Sequence, residues 1–522
     1  MKLTKIIGLF YLLFSIGCSD FLDEYSQTFI RASKISDYDE LLLGSVYIPS
    51  LTPAPPTYYV YPSGSNVCDF LNVLDDDSNV TTEAEINRAG GDKPINEWVA
   101  MHNIMFGYTT WQQFITNTEL TEHNDQTTWV QLYQRIAIIN STLAEIDDID
   151  VKTDEEVADY YRVKGEYLFL RGQFYLILAN LYGKPYDPAT ASSDLGVPLK
   201  ITAGVEHDKD KDTQFERTSL ERIYAQIVED LKASLEAFGH SSKHVLYRAS
   251  EEAARLLLSR VYLYMQEYEE AKNVLEPIFS NITLNSLVSG DSLGVNNRFL
   301  TEENSEMIFS QGSQFSEVCW TANAPDFCVS RDLYDLYDEN DRRKGCFTLN
   351  TGTDSIALSY KYNTGSYRAR VSDVLSMRAA EAWLNMAEAC AMIGGASEGT
   401  ANEYLNTLRR NRIVGYTDCS YSGEELVNQI RLERRKELCF EGHRWFDLRR
   451  YSVCKKYPYS KKIYRSFSFY TSTYDLDRLE TYVLEENDPA YVFAIPKTVL
   501  EFDTEPMPDN ERPERLPLES AD

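Results

Sequence analysis

The sequence predicts a mainly α protein: a helical-repeat scaffold of about four helix pairs that carries a large irregular, loop-rich lobe. Three observations predict it. Amphipathic stretches of helical length recur in pairs, at roughly 127–149 and 155–182, 219–238 and 249–267, 372–393 and 398–413, and then over 423–451. Glycine, proline and serine punctuate their ends. Long polar segments, 50–125, 281–371 and 452–522, separate or follow them and are rich in Gly, Pro, Asn, Ser, Thr and Asp. Hydrophobic residues are 43% of the 522, enough to bury a substantial core.

The helices are justified in turn. Within 249–267, Ala253, Leu257, Val261 and Tyr264 recur at three- and four-residue spacing, with Ala254, Leu258 and Tyr262 beside them. That spacing is one face of a helix. A short helix is expected over 268–279. Gly183 followed by Pro185, then Gly239, then Gly394-Gly395 act as stops. Ser219, Ser250 and Ser397 stand where N-caps belong. The series Ala254, Leu258, Tyr262, Tyr268, Ala271 resembles a tetratricopeptide unit, in which small residues let helices approach and an aromatic ring fills the gap between hairpins. Hairpins of this length stack into a curved solenoid. The fourth region begins as a long helix and runs into an aromatic and basic segment. The aromatics of the intervening segments argue against disorder, and long loops in compact proteins serve function.

The chain divides into 1–17, 18–280 with the loop insertion 50–125, and 281–522 with a loop lobe 281–371 and helix pairs 372–451. Residues 1–17 read as a lipoprotein signal peptide and Cys18 as the lipid-bearing N-terminus of the mature chain. Lys2 and Lys5 open it, and Ile6 to Ile16 is apolar apart from Gly8 and Ser15. That run is too short to span a bilayer, which takes about 20 residues. Gly17 is the small residue a signal peptidase needs; Ser15 departs from the aliphatic residue usual in a lipobox. An ordinary signal peptide with Cys18 as bystander is the alternative. Several acyl chains, palmitate among them, would make a stable anchor.

With 81 acidic and 51 basic residues the net charge is −30, which argues against nucleic acid and against lying on anionic headgroups. The cysteines include no C-x-x-C pair, so a zinc site is not indicated. Cys319 and Cys328 are near enough to close a small loop, while Cys390 and Cys439 sit in helical patterns as buried thiols.

The densest run of functional side chains is Ile430 to Tyr451, IRLERRKELCFEGHRWFDLRRY. His443 between Glu441 and Asp447 admits an acid–base or metal reading. The structural reading is stronger. Glu433 and Glu437 share a helix face, as Glu437 and Glu441 do, and Arg434 and Arg444 can pair with such carboxylates and pin the final helix and turn to the scaffold. One His without a second His or Cys at ligand spacing is poor metal evidence. There is no G-x-S-x-G, no H-E-x-x-H and no phosphate-cradling glycine loop, and acidic pairs in so acidic a chain prove no glycosidase. No enzyme, cofactor or metal is expected.

Several segments together resemble the SusD/RagB family of outer-membrane nutrient-binding lipoproteins. They are Tyr160 to Pro185 (YYRVKGEYLFLRGQFYLILANLYGKP), Arg248 to Leu275, Ile430 to Tyr451, and the closing Tyr491 to Pro496 (YVFAIP), in the family's order from residue 18 to about 510. The acids after the lipid site (Asp20, Asp23, Glu24) look like the export tag of Bacteroides-type lipoproteins. The resemblance implies a protein tethered to the outer membrane and exposed at the surface. It would capture an oligo- or polysaccharide and hand it to a SusC-like TonB-dependent transporter, with the helical face for the partner and the loop lobe for the glycan.

Sugars stack their C–H faces on aromatic rings and bond their hydroxyls to Asn, Asp, Arg and Gln. The candidates are therefore loop aromatics with polar neighbours: Trp98 with Asn96 and Asn103, Trp320 with Asn323 and Gln314, and Asp75, Asp76 and Arg88, preceded by Tyr58, Tyr59 and Tyr61. Loop packing is the competing reading for each. Trp111, Trp129, Trp383 and Trp445 are expected in the core. Asp75-Asp76-Asp77-Ser78-Asn79 lacks the glycine and ligand spacing of an EF-hand and reads as a solvated loop. Two rivals remain: a peptide-binding member of the same family, and an interaction scaffold without a small ligand.

Overall fold

The computed structural model describes residues 32–49, 67–81 except 69, 103–115 except 104, 127–204, 215–240, 245–288, 299–312, 327–349, 356–358, 361–362, and 371–518 except 472, 474, 503–504 and 506. The leader 1–17, Cys18, the Tyr58–Tyr61 patch, Arg88, Trp98, Cys319 and Trp320 lie outside the described residues.

The protein is mainly α, as predicted. A short helix α1 (Ile35–Leu41) precedes α2 (Thr127–Glu145), α3 (Asp154–Tyr182), α4 (Leu220–Phe238), α5 (Glu251–Met265), α6 (Tyr268–Leu275), α7 (Ala379–Ile393), α8 (Glu398–Arg410), α9 (Gly423–Leu438) and α10 (Arg444–Ser452). From α2 to α8 each helix packs on the next, and α9 packs on α7, which is the nearest-neighbour stacking of a helical repeat. Ser219 and Ser250 accept backbone N–H bonds as N-caps, whereas Ser397 caps by position without a side-chain bond. Thr153 and Glu156 form a capping box on α3. At the other end of α3 no C-terminal glycine turn is used. Instead Arg217 donates to the Tyr182 carbonyl and Arg449 to the Gly183 carbonyl, two cations at the negative end of the helix dipole.

Paired side chains staple adjacent helices. Arg171 of α3 holds Asp230 of α4 at 2.9 and 2.6 Å, and Arg260 of α5 holds Glu381 of α7 at 2.7 and 2.8 Å. Both are bidentate, the geometry that fixes orientation as well as distance. The segment bearing α1 is docked the same way. Asp39 pairs with Arg162 and Arg248, and buried Glu166 accepts from both arginines and from the Tyr47 hydroxyl at 2.6 Å.

Three expectations need correction. Residues 376–378 are a strand, not the start of a helix, because Ser376–Arg378 pairs with Met307–Ser310. The motif region is two helices, since Phe440 and Gly442 adopt left-handed φ of 56° and 74° and turn the chain between α9 and α10. Gly442 also lies so near Val374 that a Cβ would sit 3.0 Å from its backbone. Finally, 452–522 is not all irregular: Ile463–Tyr470 and Leu476–Leu484 form a long antiparallel hairpin.

Among the described residues the strands are β1 (Ser78–Val80), β2 (Met307–Ser310), β3 (Phe327–Val329), β4 (Phe347–Leu349), β5 (Ile356–Leu358), β6 (Ser376–Arg378), β7 (Ile463–Tyr470) and β8 (Leu476–Leu484). They pair two by two, β1–β3, β2–β6, β4–β5 and β7–β8, all antiparallel. Trp111, Trp129 and Trp445 are in the core as expected, while Trp383 is half-buried against Phe279 and Tyr404. Cys390 and Cys439 are buried thiols.

Candidate ligand-binding site

The motif Ile430–Tyr451 builds the foundation of the site. Its glutamates are buried and matched to basic partners from four other parts of the chain, around 343, 361, 378 and 409–412. Glu433 faces Arg343 and Arg409, each at 2.6 Å. Glu437 meets Arg343 at 2.8 Å, Arg378 at 2.7 Å and Arg412 at 2.9 Å. Glu441 takes both arms of Arg378, at 2.7 and 2.8 Å, and Lys361 at 2.8 Å. Glu306 closes the cluster by bridging Arg378 and Arg412. Burial alone would raise these carboxyls. The surrounding guanidinium groups outweigh it, holding Glu437 well below the usual range and Glu433 at about 2.

The same geometry removes the catalytic reading of His443. Its two neighbouring carboxylates are spoken for, Glu441 by Arg378 and Lys361, Asp447 by Arg434 and Arg450 at 2.8 Å each. The imidazole is buried and Arg434, which can only donate, points Nη2 at Nδ1 from 3.2 Å. Burial, then Arg260, Arg434, Arg378 and Lys361, push its pKa well down, so the ring is neutral. The structural reading of the motif holds. The partners are not those foreseen: Arg434 pairs with Asp447 and Asn385, and Arg444 reaches out of the motif altogether.

Arg444 reaches Asp76. It makes two bonds there, at 2.7 and 2.9 Å; Arg435 adds Asp76 at 3.1 Å and Asp77 at 2.7 Å, and Lys461 adds Asp76 at 2.8 Å. The loop expected to be solvated is therefore buried, because three cations from distant sequence neutralise it. Asp75, Asp76 and Asp77 place ligand atoms within 4.8 Å of one another, yet the cations already supply the counter-charge a metal would bring. Burial raises Asp76, but Arg444 and Arg435 reverse that and hold it well below the carboxylate range. Asp75 goes the other way. Burial and then its neighbours Asp77 and Asp76 push its carboxyl well up, favouring the protonated form. Its Oδ1 accepts from the Asp77 backbone at 3.0 Å and closes the turn.

This turn is the root of the candidate ligand segments. β1 follows it directly and pairs with β3, Val80 opposite Phe327. Residues 82–102, which contain Arg88 and Trp98, leave from the Val80 end; residues 313–326, which contain Trp320, enter at Phe327. The two segments thus share one base. Residues 103–115 return beside it: Phe106 packs its ring on Phe467, Phe469 and Tyr482 of the β7–β8 hairpin, with centroids 4.8, 5.6 and 5.8 Å away. The Trp111 indole donates to the Leu74 carbonyl at 2.8 Å. Arg465 lies beneath, donating to the Asp75 and Ser78 carbonyls and sitting 5.6 Å from the Trp111 ring. Burial pulls its pKa down to about 10.

Of the predicted ligand residues, Asn103 is half-buried at this platform and Asp75 is buried below it, while Arg88, Trp98 and Trp320 fall outside the described residues. Arg435, Arg444, Lys461 and Arg465 were missed as site-forming residues. The motif drew attention to the first two, but no local pattern ties them to residues 75–78.

A stacked helical scaffold, with a buried ion-paired cluster holding residues 75–77 to it, defines a helical-repeat architecture. Two family models match the chain in order. One, described as starch-binding and associating with the outer membrane (SusD-like), covers residues 63–263; the other, the SusD family (SusD_RagB), covers residues 339–504. The chain belongs to the SusD/RagB family. A search of curated protein sequences returned no match. Among solved structures, a SusD superfamily protein from Bacteroides thetaiotaomicron is similar over 92% of this chain and 100% of its own, with 20% identity and a TM-score of 0.65. A SusD-like carbohydrate-binding protein from Bacteroides vulgatus aligns over 91% and 99%, with 20% identity and a TM-score of 0.62. Surface glycan-binding protein A from Bacteroides uniformis aligns over 91% and 99%, with 14% identity and a TM-score of 0.57. At these identities the likeness is one of fold. Among the described residues no helix is long and apolar enough to cross a membrane.

Proposed function

We propose that this protein is a cell-surface lipoprotein that captures an oligo- or polysaccharide and delivers it to a SusC-like TonB-dependent transporter in the outer membrane. It acts as a binding protein and not as an enzyme. The observation that carries the reading is family membership through both parts of the chain, one family description naming starch binding and outer-membrane association. The carbohydrate- and glycan-binding names of two proteins of the same fold support it. Arg88, Trp98, Asn103, Trp320 and Asp75 are the proposed sugar contacts; that Val80 pairs with Phe327, near where two of the segments bearing them join the described fold, supports the choice. Cys18, after removal of residues 1–17, is the proposed lipid attachment site.

The test is a glycan array, followed by calorimetry, on protein lacking residues 1–18. Binding of at least one glycan, weakened by Trp98→Ala and Trp320→Ala, is the expected result. No glycan binding together with clear binding of oligopeptides would replace the carbohydrate by a peptide.

A further inference from the structure

Phe114 is 70% exposed, the most exposed aromatic ring among the described residues. Phe502 is nearly as exposed, at 69%, but leans on Phe215. Among the described residues Phe114 has no ring neighbour of that kind. Exposed rings are ordinary on flexible segments. This one is on a turn held by hydrogen bonds and close packing. The turn that bears it folds back on the one-turn helix Phe106–Thr109, with Gln112 N–H donating to the Gly107 carbonyl at 3.0 Å and Trp111 N–H to the Tyr108 carbonyl at 3.2 Å. A Cβ on Gly107 would come within 2.1 Å of the Ile115 carbonyl oxygen, so the closure requires glycine there. Ile115 and Trp111, on either side of Phe114, are buried. From the C-terminal tail Arg515 donates to the Trp111 carbonyl at 3.3 Å and is itself held by Asp488 at 2.6 Å. Trp111 takes a left-handed φ of 55°, a conformation that a bulky residue adopts only when its surroundings impose it.

The chain thus fixes a turn from three sides and uses it to hold an apolar ring in water. Two half-buried amides, Gln112 and Gln113, immediately precede the ring. Gln112 spends its amide N–H on the Thr110 hydroxyl at 3.1 Å, which leaves its carbonyl oxygen free to accept. A rigid flat ring beside amide groups suits a pyranose, whose C–H face is apolar and whose rim is hydroxylated. The turn follows the helix Phe106–Thr109, whose Phe106 packs on the β7–β8 hairpin.

We infer that Phe114 is a carbohydrate-stacking residue, taking the C–H face of a pyranose unit while Gln112 or Gln113 bonds its hydroxyls. The inference rests on the carbohydrate reading above. A ring held in place before binding loses little conformational freedom when the sugar arrives, which favours affinity.

Affinity gel electrophoresis of protein lacking residues 1–18, in gels containing starch, xylan, mannan or pectin, tests it. Phe114→Ala should weaken retention by the polysaccharide that retains the wild type by about 10-fold, the scale of a lost aromatic anchor. Phe114→Trp should keep it. The melting temperature of both variants should match the wild type, since the ring is exposed. Unchanged retention of Phe114→Ala overturns the inference and leaves the carbohydrate reading standing. So does unchanged retention accompanied by loss of co-purification with the transporter, which would make the ring a protein contact. If none of the four retains the wild type, the variants are compared by calorimetry on the glycan found by the array, where equal affinity of Phe114→Ala overturns the inference; failure on the full array removes the carbohydrate reading and the inference with it.

Discussion

Arg444 holds Asp76 through two parallel hydrogen bonds, 2.7 Å from Nε and 2.9 Å from Nη2, across 368 positions of sequence. Both side chains are buried, and Arg435 and Lys461 share the same carboxylate. Breaking a buried pair by removing one partner costs about 3–5 kcal/mol. Asp76→Asn takes the paired carboxylate from Arg444 and one of the carboxylates from both Arg435 and Lys461, so it should cost more than Arg444→Met, after which Asp76 keeps two partners. In urea unfolding, the double variant should be less destabilised than the sum of the singles by about 1 kcal/mol or more. Strict additivity would show that the pair does not act as a unit.

Glu437 is the centre of the larger cluster, with Arg343, Arg378 and Arg412 all within hydrogen-bonding distance. Glu437→Gln should destabilise by at least about 3 kcal/mol. Glu339→Gln is the control. Its partner Lys344 lies at the surface and Glu339 itself is 89% exposed, so the change should stay below about 0.5 kcal/mol. Equal effects of the two substitutions would contradict the account of the cluster.

Acid should unfold the protein through these carboxylates. Glu433 titrates at about 2 in the fold against 4.5 for a free glutamate, and Glu437 and Asp76 are also held well below their ordinary values. In that interval the unfolded chain binds more protons than the folded one. The stability these groups contribute is therefore complete above pH 4.5 and is lost as pH falls towards 2. Melting temperatures should drop steeply across that window, and Glu433→Gln should make the drop shallower. A flat profile down to pH 2 would remove the linkage.

Asp75 makes the opposite prediction. Its carboxyl is pushed well above the ordinary 3.8, so the folded state holds a proton that the unfolded state releases. Stability then falls as pH rises above 3.8 towards the folded value. Asp75→Asn removes that loss. The variant should melt higher than the wild type at pH 7, with the gap closing below 3.8. A lower melting temperature at pH 7 would mean that the ionised form is the one the fold uses.

Cys18→Ala should move the protein from the membrane to the soluble fraction and leave the glycan affinity of the purified body unchanged. Loss of affinity in the purified variant would show that the anchor does more than tether.

The helices were legible because each carries its own periodicity and stop. Gly183, Gly239 and Gly394 stand at helix ends as read, and Ser219 and Ser250 cap. What was missed depends on partners far away. Ser376–Arg378 looks helical in isolation and becomes a strand because Met307–Ser310 lies beside it. The hairpin β7–β8 alternates over the start of Ile463–Tyr470, but Leu476–Leu484 is exposed over its first four residues and shows no clear apolar face there. At the site, five consecutive polar residues from Asp75 to Asn79 suggest water. They are largely buried because Arg435, Arg444 and Lys461 come to them, a fact written some 360 residues downstream. The structural role of the motif could be read locally, since its acids and bases are spaced for pairing. The identity of the partners could not.

That separation sets an order of assembly. Synthesis and export both proceed from the N-terminal end, so Asp76 precedes Arg435 and Arg444 by 359 and 368 positions and waits for them. Until then its carboxylate and those of its neighbours have none of these counter-ions, and remaining in water is their favoured state. The helical stack from α2 to α6 can form from residues already synthesised, while the root of the ligand segments stays open. A chain cut short before residue 435 would keep much of its scaffold and lack the cations that lock Asp76 and Asp77. The protein thus closes this corner of its fold last.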